Sequence, residues 1–410
     1  MPETFRPRDA DEVREIVAWA AAEECPLEIR GGGSKQGLGR PMASCDVLEI
    51  SGLSGVTYYE PTELVLAAAA GTPLAAVESE LTQNHQRLAF EPVDYGPVTG
   101  GPADRSTVGG IVACNISGPR RVQAGAARDH CLGVNGVSGR GEAFKSGGRV
   151  VKNVTGYDLS KLMTGSYGTL ATLTEVTFKV LPIPEKTRTV LIYGLDQATG
   201  IAALGKASAS GLEPTALAHL PASTASRSTV DHVSGPDNSV TAIRIEGLAP
   251  SVKARCTSFR ELFGSAGDTE ELHGHHSDTL WREIGEVKLL PATDGVLWRL
   301  SVPPTTAAGV VWEITEALPK ASDAHAMFDW AGGLIWLMIK GVEDAAHEIT
   351  RGAIATGGGH ATLIRAPEEI RGRVPVFQPR DPGLAALNAR VKKGFDPRGI
   401  LNPGRMSADY

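Results

Sequence analysis

Residues 97–129, PVTGGPADRSTVGGIVACNISGPRRVQAGAARD, hold a pair of glycines in a polar setting. Because glycine has no Cβ, the backbone at Gly109 and Gly110 lets a bulky anion approach, and successive amides around it can form an anion nest. Side chains suited to phosphate or carboxylate flank the pair: Thr107, Asn115, Ser117, Arg120, Arg121 and Arg128. The stretch predicts an anion-binding loop, although a polar surface loop with its own turn chemistry explains the same residues.

A second glycine cluster lies upstream, where a short strand predicted over 27–30 runs into GGGSKQGLG at 31–39. Gln36 stands where a Rossmann GxGxxG fingerprint needs its third glycine, and no Gly-Lys-Ser/Thr closes a Walker A loop. Three glycines and Ser34 at a strand end still form a suitable backbone nest for phosphate. A flexible hairpin loop is the alternative for this cluster taken alone.

Composition limits the classes of function. A length of 410 residues suits two or three domains, and 42% hydrophobic with 21% charged residues is typical of soluble globular proteins. A net charge of −7 with 5% aromatic residues argues against a nucleic-acid surface. Five widely spaced cysteines without a CxxC pair argue against a disulfide framework, a zinc site or an iron–sulfur cluster within this chain.

The sequence also bears on location. The N-terminus lacks the apolar core of a signal peptide, and no run of about 20 apolar residues occurs. We therefore expect a cytoplasmic protein that reaches the inner face of the membrane only through partners.

Periodicity and capping residues predict the order of elements. Asp9 has the spacing of a capping-box residue and opens an amphipathic helix. Strands are predicted over 149–152 and, by alternation, over 171–180. Pro182 and Pro184 then mark a domain boundary.

Beyond that boundary, strand-like and helical runs alternate from about 187 to 367. This pattern predicts an α+β cap built on an antiparallel sheet. The polar stretch 222–237 is predicted to be a mobile loop. Asp381 and Pro382 mark the start of a last helix, for which Gly394 is the expected end. Its apolar stripe comprises Leu384, Leu387, Val391 and Phe395.

Two separate nests in one N-terminal domain suit a ligand whose pyrophosphate bridges two bulky groups, as in dinucleotide cofactors. Four motifs then become informative together: IRGGGSKQGLG (29–39), DRSTVGGIVACNISGPRR (104–121) with GAARD (125–129), GYDLSKLMTGSYGTLATLTEVTFKVLP (156–182) and FDPRGILNPGRM (395–406). In this order they resemble the flavoproteins with the vanillyl-alcohol-oxidase (PCMH-type) FAD-binding fold, within them the D-lactate/glycolate dehydrogenase branch.

The resemblance implies an α+β fold with a two-subdomain PCMH-type FAD-binding domain over 1–184, divided near 60 into 1–60 and 61–184. An α+β cap domain with an antiparallel sheet would follow over 185–367, and a C-terminal helix and tail over 368–410 would return to the FAD domain. Some relatives attach FAD through a histidine in the first loop. Ser34 and Lys35 stand in that region here, so we expect non-covalent FAD.

The resemblance also implies the cofactor contacts. Both glycine segments, a short stretch near 168 and the terminal motif contribute to them. The residues are Arg30, Gly31, Gly32, Gly33, Ser34, Gly37, Leu38, Pro102, Asp104, Thr107, Val108, Gly109, Gly110, Asn115, Ser117, Gly118, Arg121, Gly168, Thr169 and Asn402.

The cap departs from the branch. Stand-alone members carry a GHxGDGNxH-like stretch that supplies metal ligands and a base, whereas this chain has GGHATLIR at 358–365. His360 is expected to be structural, with a lone catalytic base as the alternative, and the histidines at 273, 275 and 276 to lie in a solvated loop. No catalytic residue and no metal ligand is assigned. Basic residues that could hold a small carboxylate, which the sequence does not rank, are Arg299, Lys340, Arg365 and Arg380.

A flavin module with a reduced cap resembles the smaller FAD-binding subunits of bacterial glycolate oxidase complexes. This implies an FAD-dependent oxidoreductase that acts, within a complex, on the CH–OH group of 2-hydroxy acids and supports oxidation of glycolate to glyoxylate. Its partners would be a homologous catalytic flavin subunit and an iron–sulfur subunit. The alternatives are a stand-alone D-2-hydroxyacid (D-lactate-type) dehydrogenase and a non-catalytic assembly scaffold.

Overall fold

The structure, a computed structural model, describes residues 2–149, 156–291 and 295–409. The strand predicted over 149–152 lies, except for Arg149, outside these residues. The contacts between its Cα atoms divide the chain into two compact units. The first comprises Met1–Ser117, Gly125–Ile183 and Pro379–Tyr410, and the second comprises Gly118–Ala124 and Pro184–Gln378.

The described residues form strands in both units. They are β1 (Thr4–Phe5), β2 (Leu27–Arg30), β3 (Asp46–Glu49), β4 (Val56–Glu60), β5 (Val65–Ala69), β6 (Gln86–Arg87), β7 (Cys131–Ser138), β8 (Ala143–Gly147), β9 (Ala171–Lys179), β10 (Leu181–Pro182), β11 (Lys186–Tyr193), β12 (Ala216–Leu220), β13 (Val240–Gly247), β14 (Thr269–His273), β15 (Val296–Ser301), β16 (Asp323–Asp329), β17 (Leu334–Lys340) and β18 (His360–Arg365).

Helices occur between these strands and at the C-terminus. They are α1 (Ala10–Ala22), α2 (Leu74–Gln83), α3 (Val108–Cys114), α4 (Arg121–Ala124), α5 (Ala127–His130), α6 (Leu159–Met163), α7 (Gln197–Ser208), α8 (Ala222–Ala225), α9 (Asp231–Ser234), α10 (Ala249–Phe263), α11 (Gly274–Gly285), α12 (Ala307–Ala317), α13 (His347–Gly357), α14 (Glu368–Arg373) and α15 (Pro382–Phe395).

The first unit contains a small parallel sheet and a larger antiparallel one. Strands β1, β3 and β2 pair in parallel in that order, and β4-β5-β9-β7-β8 form the antiparallel sheet. The long strand predicted over 171–180 is β9, which pairs with β5 and β7 and is buried along nearly its whole length. Helix α1 begins as predicted, with the Asp9 carboxylate accepting the amide of Glu12.

The second unit is built on one antiparallel sheet of strand order β14-β11-β13-β12-β16-β17-β15-β18. Trp298, Phe328 and Leu337 of the sheet are fully buried in one cluster with Leu204 of α7 and Phe259 of α10. Burying large apolar side chains of this kind stabilises a unit by about 1.5–3 kcal/mol each. The α+β class and the antiparallel cap sheet predicted from the sequence are confirmed.

Three local predictions were wrong. The histidines at 273, 275 and 276 are exposed as expected, but they lie at the end of β14 and in the first turn of α11 and not in a loop. The stretch 222–237, predicted to be a mobile loop, contains the short helices α8 and α9, and Ser228 and Thr229 donate hydrogen bonds to the buried carboxylate of Glu283. Helix α15 passes through Gly394 and ends at Phe395.

The apolar stripe of α15 is also only partly covered. Leu384 and Leu387 are 38% and 46% exposed, and the buried residue on this helix is Lys392.

Candidate functional site

A cleft in the first unit brings the two glycine segments together. Its lining surrounds about 720 Å³ of space, a figure that includes open solvent at its mouth. Strand β2 and the loop after it form one wall, α3 forms another, and the loop before β9 and the C-terminal tail complete the lining. The predicted cofactor residues that line it are Arg30, Gly31, Gly32, Gly33, Ser34, Leu38, Thr107, Gly109, Gly110, Gly168 and Asn402.

Glycine is required where the two segments touch. A Cβ at Gly31 would lie 2.5 Å from Thr107 Oγ1, and one at Gly32 would overlap the carbonyl of Arg105. A Cβ at Gly109 would lie 2.7 Å from the carbonyl oxygen of Ala70. The glycines therefore allow backbone to pack against backbone at the cleft wall.

The side chain of Lys35 joins the two segments. Its ammonium donates hydrogen bonds to Ser34 Oγ at 3.0 Å and to Ser106 Oγ at 2.8 Å, and Ser106 Oγ donates to Asp94 Oδ1 at 2.6 Å. Burial lowers the pKa of Lys35, an effect that the more distant Asp94 carboxylate opposes. An anion in the cleft would thus meet an ammonium whose hydrogen-bonded partners are neutral hydroxyls.

The C-terminal tail contributes to the cleft from the far end of the sequence. Asn402 Oδ1 accepts the amide of Ile29 at 2.8 Å, and Asn402 Nδ2 donates to the carbonyl of Tyr167 at 2.7 Å. The buried guanidinium of Arg405 donates to the carbonyl of Gln36 at 2.9 Å. The tail therefore ties β2, its loop and the segment before β9 together.

The remaining predicted contacts do not line the cleft. Ser117 Oγ accepts the amide of Ala127 at 2.9 Å, and Asn115 ends α3 in a left-handed conformation while its Oδ1 accepts the amide of Arg128. These residues hold the wall from behind. The residues outside the lining are Gly37, Pro102, Asp104, Val108, Asn115, Ser117, Gly118, Arg121 and Thr169.

Gly118 and Arg121 belong to the second unit. The Gly118 carbonyl accepts the indole N–H of Trp330 at 3.1 Å, and the Arg121 guanidinium carbon lies 4.4 Å from the centre of the same ring. Of the two arginines in the GPRR motif, Arg121 thus lies against the Trp330 ring. Arg120 forms an ion pair with the carboxylate of Glu246 at 2.8 Å.

Sequence reasoning missed half of the lining. Lys35 lies inside the motif at 29–39 and Arg405 inside the motif at 395–406, so their positions in these motifs could have identified them as lining residues. Leu173 also lies inside the motif at 156–182, whereas Ile50 comes from a buried segment that carries no functional pattern. The missed residues are Glu28, Ile29, Lys35, Gln36, Ile50, Ala113, Cys114, Tyr167, Ala171, Leu173 and Arg405.

The lining suits a dinucleotide. Amides of Gly31–Gly33, the ammonium of Lys35 and the hydroxyl of Thr107 are donors for a diphosphate. Apolar side chains such as Ile50 and Leu173 offer surface for a flat ring. The residues present therefore fit FAD.

Comparison with known proteins identifies the family. A family model described as an FAD binding domain matches residues 3–147, which hold both glycine segments. Over 396 residues the chain is 35% identical to glycolate oxidase subunit GlcE of Escherichia coli, covering 96% of each protein. The chain belongs to the family of FAD-linked oxidoreductases that includes this glycolate oxidase subunit.

Other relatives in the family extend the likeness. Glycolate oxidase subunit GlcD of Bacillus subtilis is 26% identical over 435 residues, which cover 100% of this chain and 89% of that protein. A solved structure of p-cresol methylhydroxylase superposes with a TM-score of 0.76 at 15% identity, covering 99% of this chain and 89% of the other. This structural likeness confirms the PCMH-type fold.

Membership of the family confirms FAD as the cofactor and an FAD-dependent oxidoreductase as the class of protein. Within residues 2–149, 156–291 and 295–409, no helix combines the length and apolar character that a membrane span requires.

Proposed function

We propose that this chain is the FAD-binding subunit of a glycolate oxidase complex and holds FAD in the cleft without a covalent bond. The observation that carries the proposal is the convergence of both glycine segments on one cleft, in a chain that is 35% identical to a glycolate oxidase subunit over almost its whole length. The proposal includes an FAD domain over 1–184, a cap over 185–367 and a returning C-terminal segment over 368–410.

The cleft residues would bind and orient the cofactor. Backbone amides at Gly31–Gly33 and the Lys35 ammonium would hold the diphosphate, and the side chains of Ile50 and Leu173 would exclude water from the cofactor. When bound, FAD would supply a two-electron oxidant that can take a hydride from the α-carbon of a 2-hydroxy acid.

Within the complex, a homologous flavin chain would carry the catalytic oxidation and an iron–sulfur chain would accept the electrons. The complex would be cytoplasmic, and any attachment to the inner face of the membrane would occur through these partners. The existence of other subunits is supported by relatives that are named as subunits of glycolate oxidase.

The first test is spectroscopic. The purified chain is expected to be yellow, to release FAD on acid precipitation, and to stay oxidised when glycolate or D-lactate is added without oxygen. Bleaching would instead support the stand-alone D-2-hydroxyacid dehydrogenase, and a chain that neither contains nor binds FAD would support the scaffold.

The variant Lys35→Gln tests the site. Loss of a charge-assisted hydrogen bond is expected to weaken FAD binding by roughly 10- to 100-fold, from about 1.5–3 kcal/mol. Lys145→Gln, which removes an exposed lysine from β8, is the matched control and should bind FAD as the unmodified chain does. Equal FAD affinity in the two variants would remove Lys35 from the site.

The subunit assignment is tested by isolating the tagged chain from its own cells. A second flavin chain and an iron–sulfur chain are expected in the isolated complex. If the chain binds FAD but is isolated without other subunits, the result would contradict the proposed complex and would still support the FAD site.

A further inference from the structure

Trp330 occupies an unusual place in the second unit. Directly after β16, three consecutive residues, Trp330, Ala331 and Gly332, have φ angles of +52°, +59° and +95°. A left-handed backbone is disfavoured for residues with a side chain, and such strain persists only where the surroundings enforce it. Here the Trp330 amide donates to Asp329 Oδ1 at 2.7 Å, and its indole N–H donates to the carbonyl of Gly118. The ring is therefore held in one position.

Two guanidinium groups lie against this ring. The guanidinium carbon of Arg121 is 4.4 Å from the ring centre and that of Arg299 is 5.1 Å away, both within the range of a cation–π contact. Arg299 is half-buried on β15, and within the described residues it makes this ring contact and no hydrogen bond or ion pair. Its fork of N–H donors is therefore available.

Strand register adds a hydroxyl beside Arg299. Arg299 on β15 is the direct partner of Thr362 on β18 and of Trp336 on β17, so the three side chains share one face of the sheet. Thr362 is half-buried, and no hydrogen bond of its hydroxyl occurs among the described residues.

The other basic residues considered from the sequence are placed differently. Arg365 donates to the carbonyls of Gly295 and Pro291, so its guanidinium holds the chain together. Arg380 is exposed, and Lys340 ends β17. Among the three arginines, Arg299 alone combines partial burial with the absence of a hydrogen bond or ion pair within the described residues.

We propose that Arg299 binds the carboxylate of a small monocarboxylic acid, with Thr362 as a second donor and the Trp330 ring as a rigid backing. A guanidinium binds a carboxylate through two parallel N–H···O bonds, and stacking on an indole restricts its orientation before the ligand arrives. This inference rests on the proposed function, for which the acid would be a 2-hydroxy acid such as glycolate.

The test uses oxamate, a monocarboxylate that the flavin cannot oxidise, titrated calorimetrically into the purified full-length chain. Binding is expected, and Arg299→Gln should weaken it at least tenfold. Arg299→Lys, which keeps the charge but loses the fork, should also weaken it, and Thr362→Val should weaken it several-fold. Arg380→Gln is the matched control and should leave the affinity unchanged.

Absence of oxamate binding, or equal binding by Arg299→Gln, would overturn the inference. The flavin spectrum recorded on the same samples keeps this result separate from the proposed function. A yellow chain that does not bind oxamate contradicts the carboxylate site alone, whereas a chain unable to take up FAD contradicts the proposed function. Because Arg299→Lys retains a cation beside the ring, it keeps the test valid if Arg299→Gln folds poorly.

Discussion

Gly109 and Gly110 are neighbours in α3 with different constraints. A Cβ at Gly109 would press on the Ala70 carbonyl at 2.7 Å, whereas one at Gly110 would lie 3.3 Å from Thr107 Oγ1 and 3.6 Å from the flexible end of Lys35. The first glycine is therefore needed by the fold, and the second faces the cleft. The sequence motif alone does not tell a glycine that the fold requires from a glycine that leaves space for a ligand.

We predict that Gly110→Ala folds but binds FAD at least tenfold more weakly, because the added methyl group occupies cleft space. Gly109→Ala should lower the free energy of unfolding by about 1–3 kcal/mol through overpacking. Urea denaturation of the FAD-free chains and FAD titration measure the two effects. A Gly110→Ala chain with unchanged FAD affinity would show that α3 does not contact the cofactor.

His219 makes folding sensitive to acid. Its ring is fully buried on β12, with Nδ1 2.9 Å from Thr241 Oγ1, and burial lowers its pKa to about 4 from an ordinary 6.5. In the unfolded chain the His219 imidazole therefore binds a proton below about pH 6.5, whereas in the folded chain it does so only below about pH 4. The full contribution of His219 to the free energy of unfolding is present above pH 6.5 and is lost as the pH falls to 4. At about 1.4 kcal/mol per pH unit, this loss amounts to up to about 3 kcal/mol.

The measurement is the free energy of unfolding in urea between pH 7 and 4. His219→Asn should flatten the dependence on pH. His85→Asn, at an exposed position with a φ of +54° that asparagine tolerates, should retain it. Parallel pH profiles for the chain with His219 and for His219→Asn would contradict the assignment.

Helix α15 is attached to the first unit by a buried ion pair. Lys392 Nζ donates to Asp396 Oδ2 at 2.6 Å and to the carbonyls of Thr169 and Leu401, and Asp396 Oδ2 also accepts the amide of Leu401. Burial lowers the pKa of Lys392 while Asp396 opposes that shift. The pair links the helix to the segment before β9 and to the tail that carries Asn402.

We predict that Lys392→Met lowers the free energy of unfolding by about 3–5 kcal/mol, because it leaves the Asp396 carboxylate buried without its cation. Lys393→Met, one residue on and exposed, should change it by no more than about 0.5 kcal/mol. Urea denaturation compares them. Similar stability of both variants would mean that Asp396 finds another partner.

At the level of elements, local chemistry was predictable wherever a residue acts on its immediate neighbours. Asp9 and Asp381 begin their helices as capping residues, as their spacing predicts. Gly394 was expected to end α15, yet the helix continues past it. The prediction for 222–237 was wrong because Glu283, which orders that stretch through Ser228 and Thr229, lies more than fifty residues away in the chain.

The division into two units predicts where FAD acts in the whole molecule. FAD should slow amide hydrogen exchange in the segments that line the cleft, namely β2 with its loop, α3 and the C-terminal tail, since binding stabilises the folded form. Helix α10 of the second unit, whose Phe259 is fully buried in that unit's own core, is the internal reference and should exchange at the same rate. Mass spectrometry of peptides with and without FAD checks this. Protection of α10 without protection of α3 would contradict the cleft as the cofactor site.

Reading the chain alone was enough for the fold class, the FAD family and the two glycine segments, because motif order and hydrophobic periodicity are local properties of the sequence. It did not reveal that Lys35 bridges the segments or that Arg121 lies against Trp330. Those pairings depend on strand register and chain crossings that bring distant residues to hydrogen-bond distance. The same reason explains why four basic residues looked equivalent until their neighbours were known: the availability of a guanidinium is set by the carbonyls and rings around it.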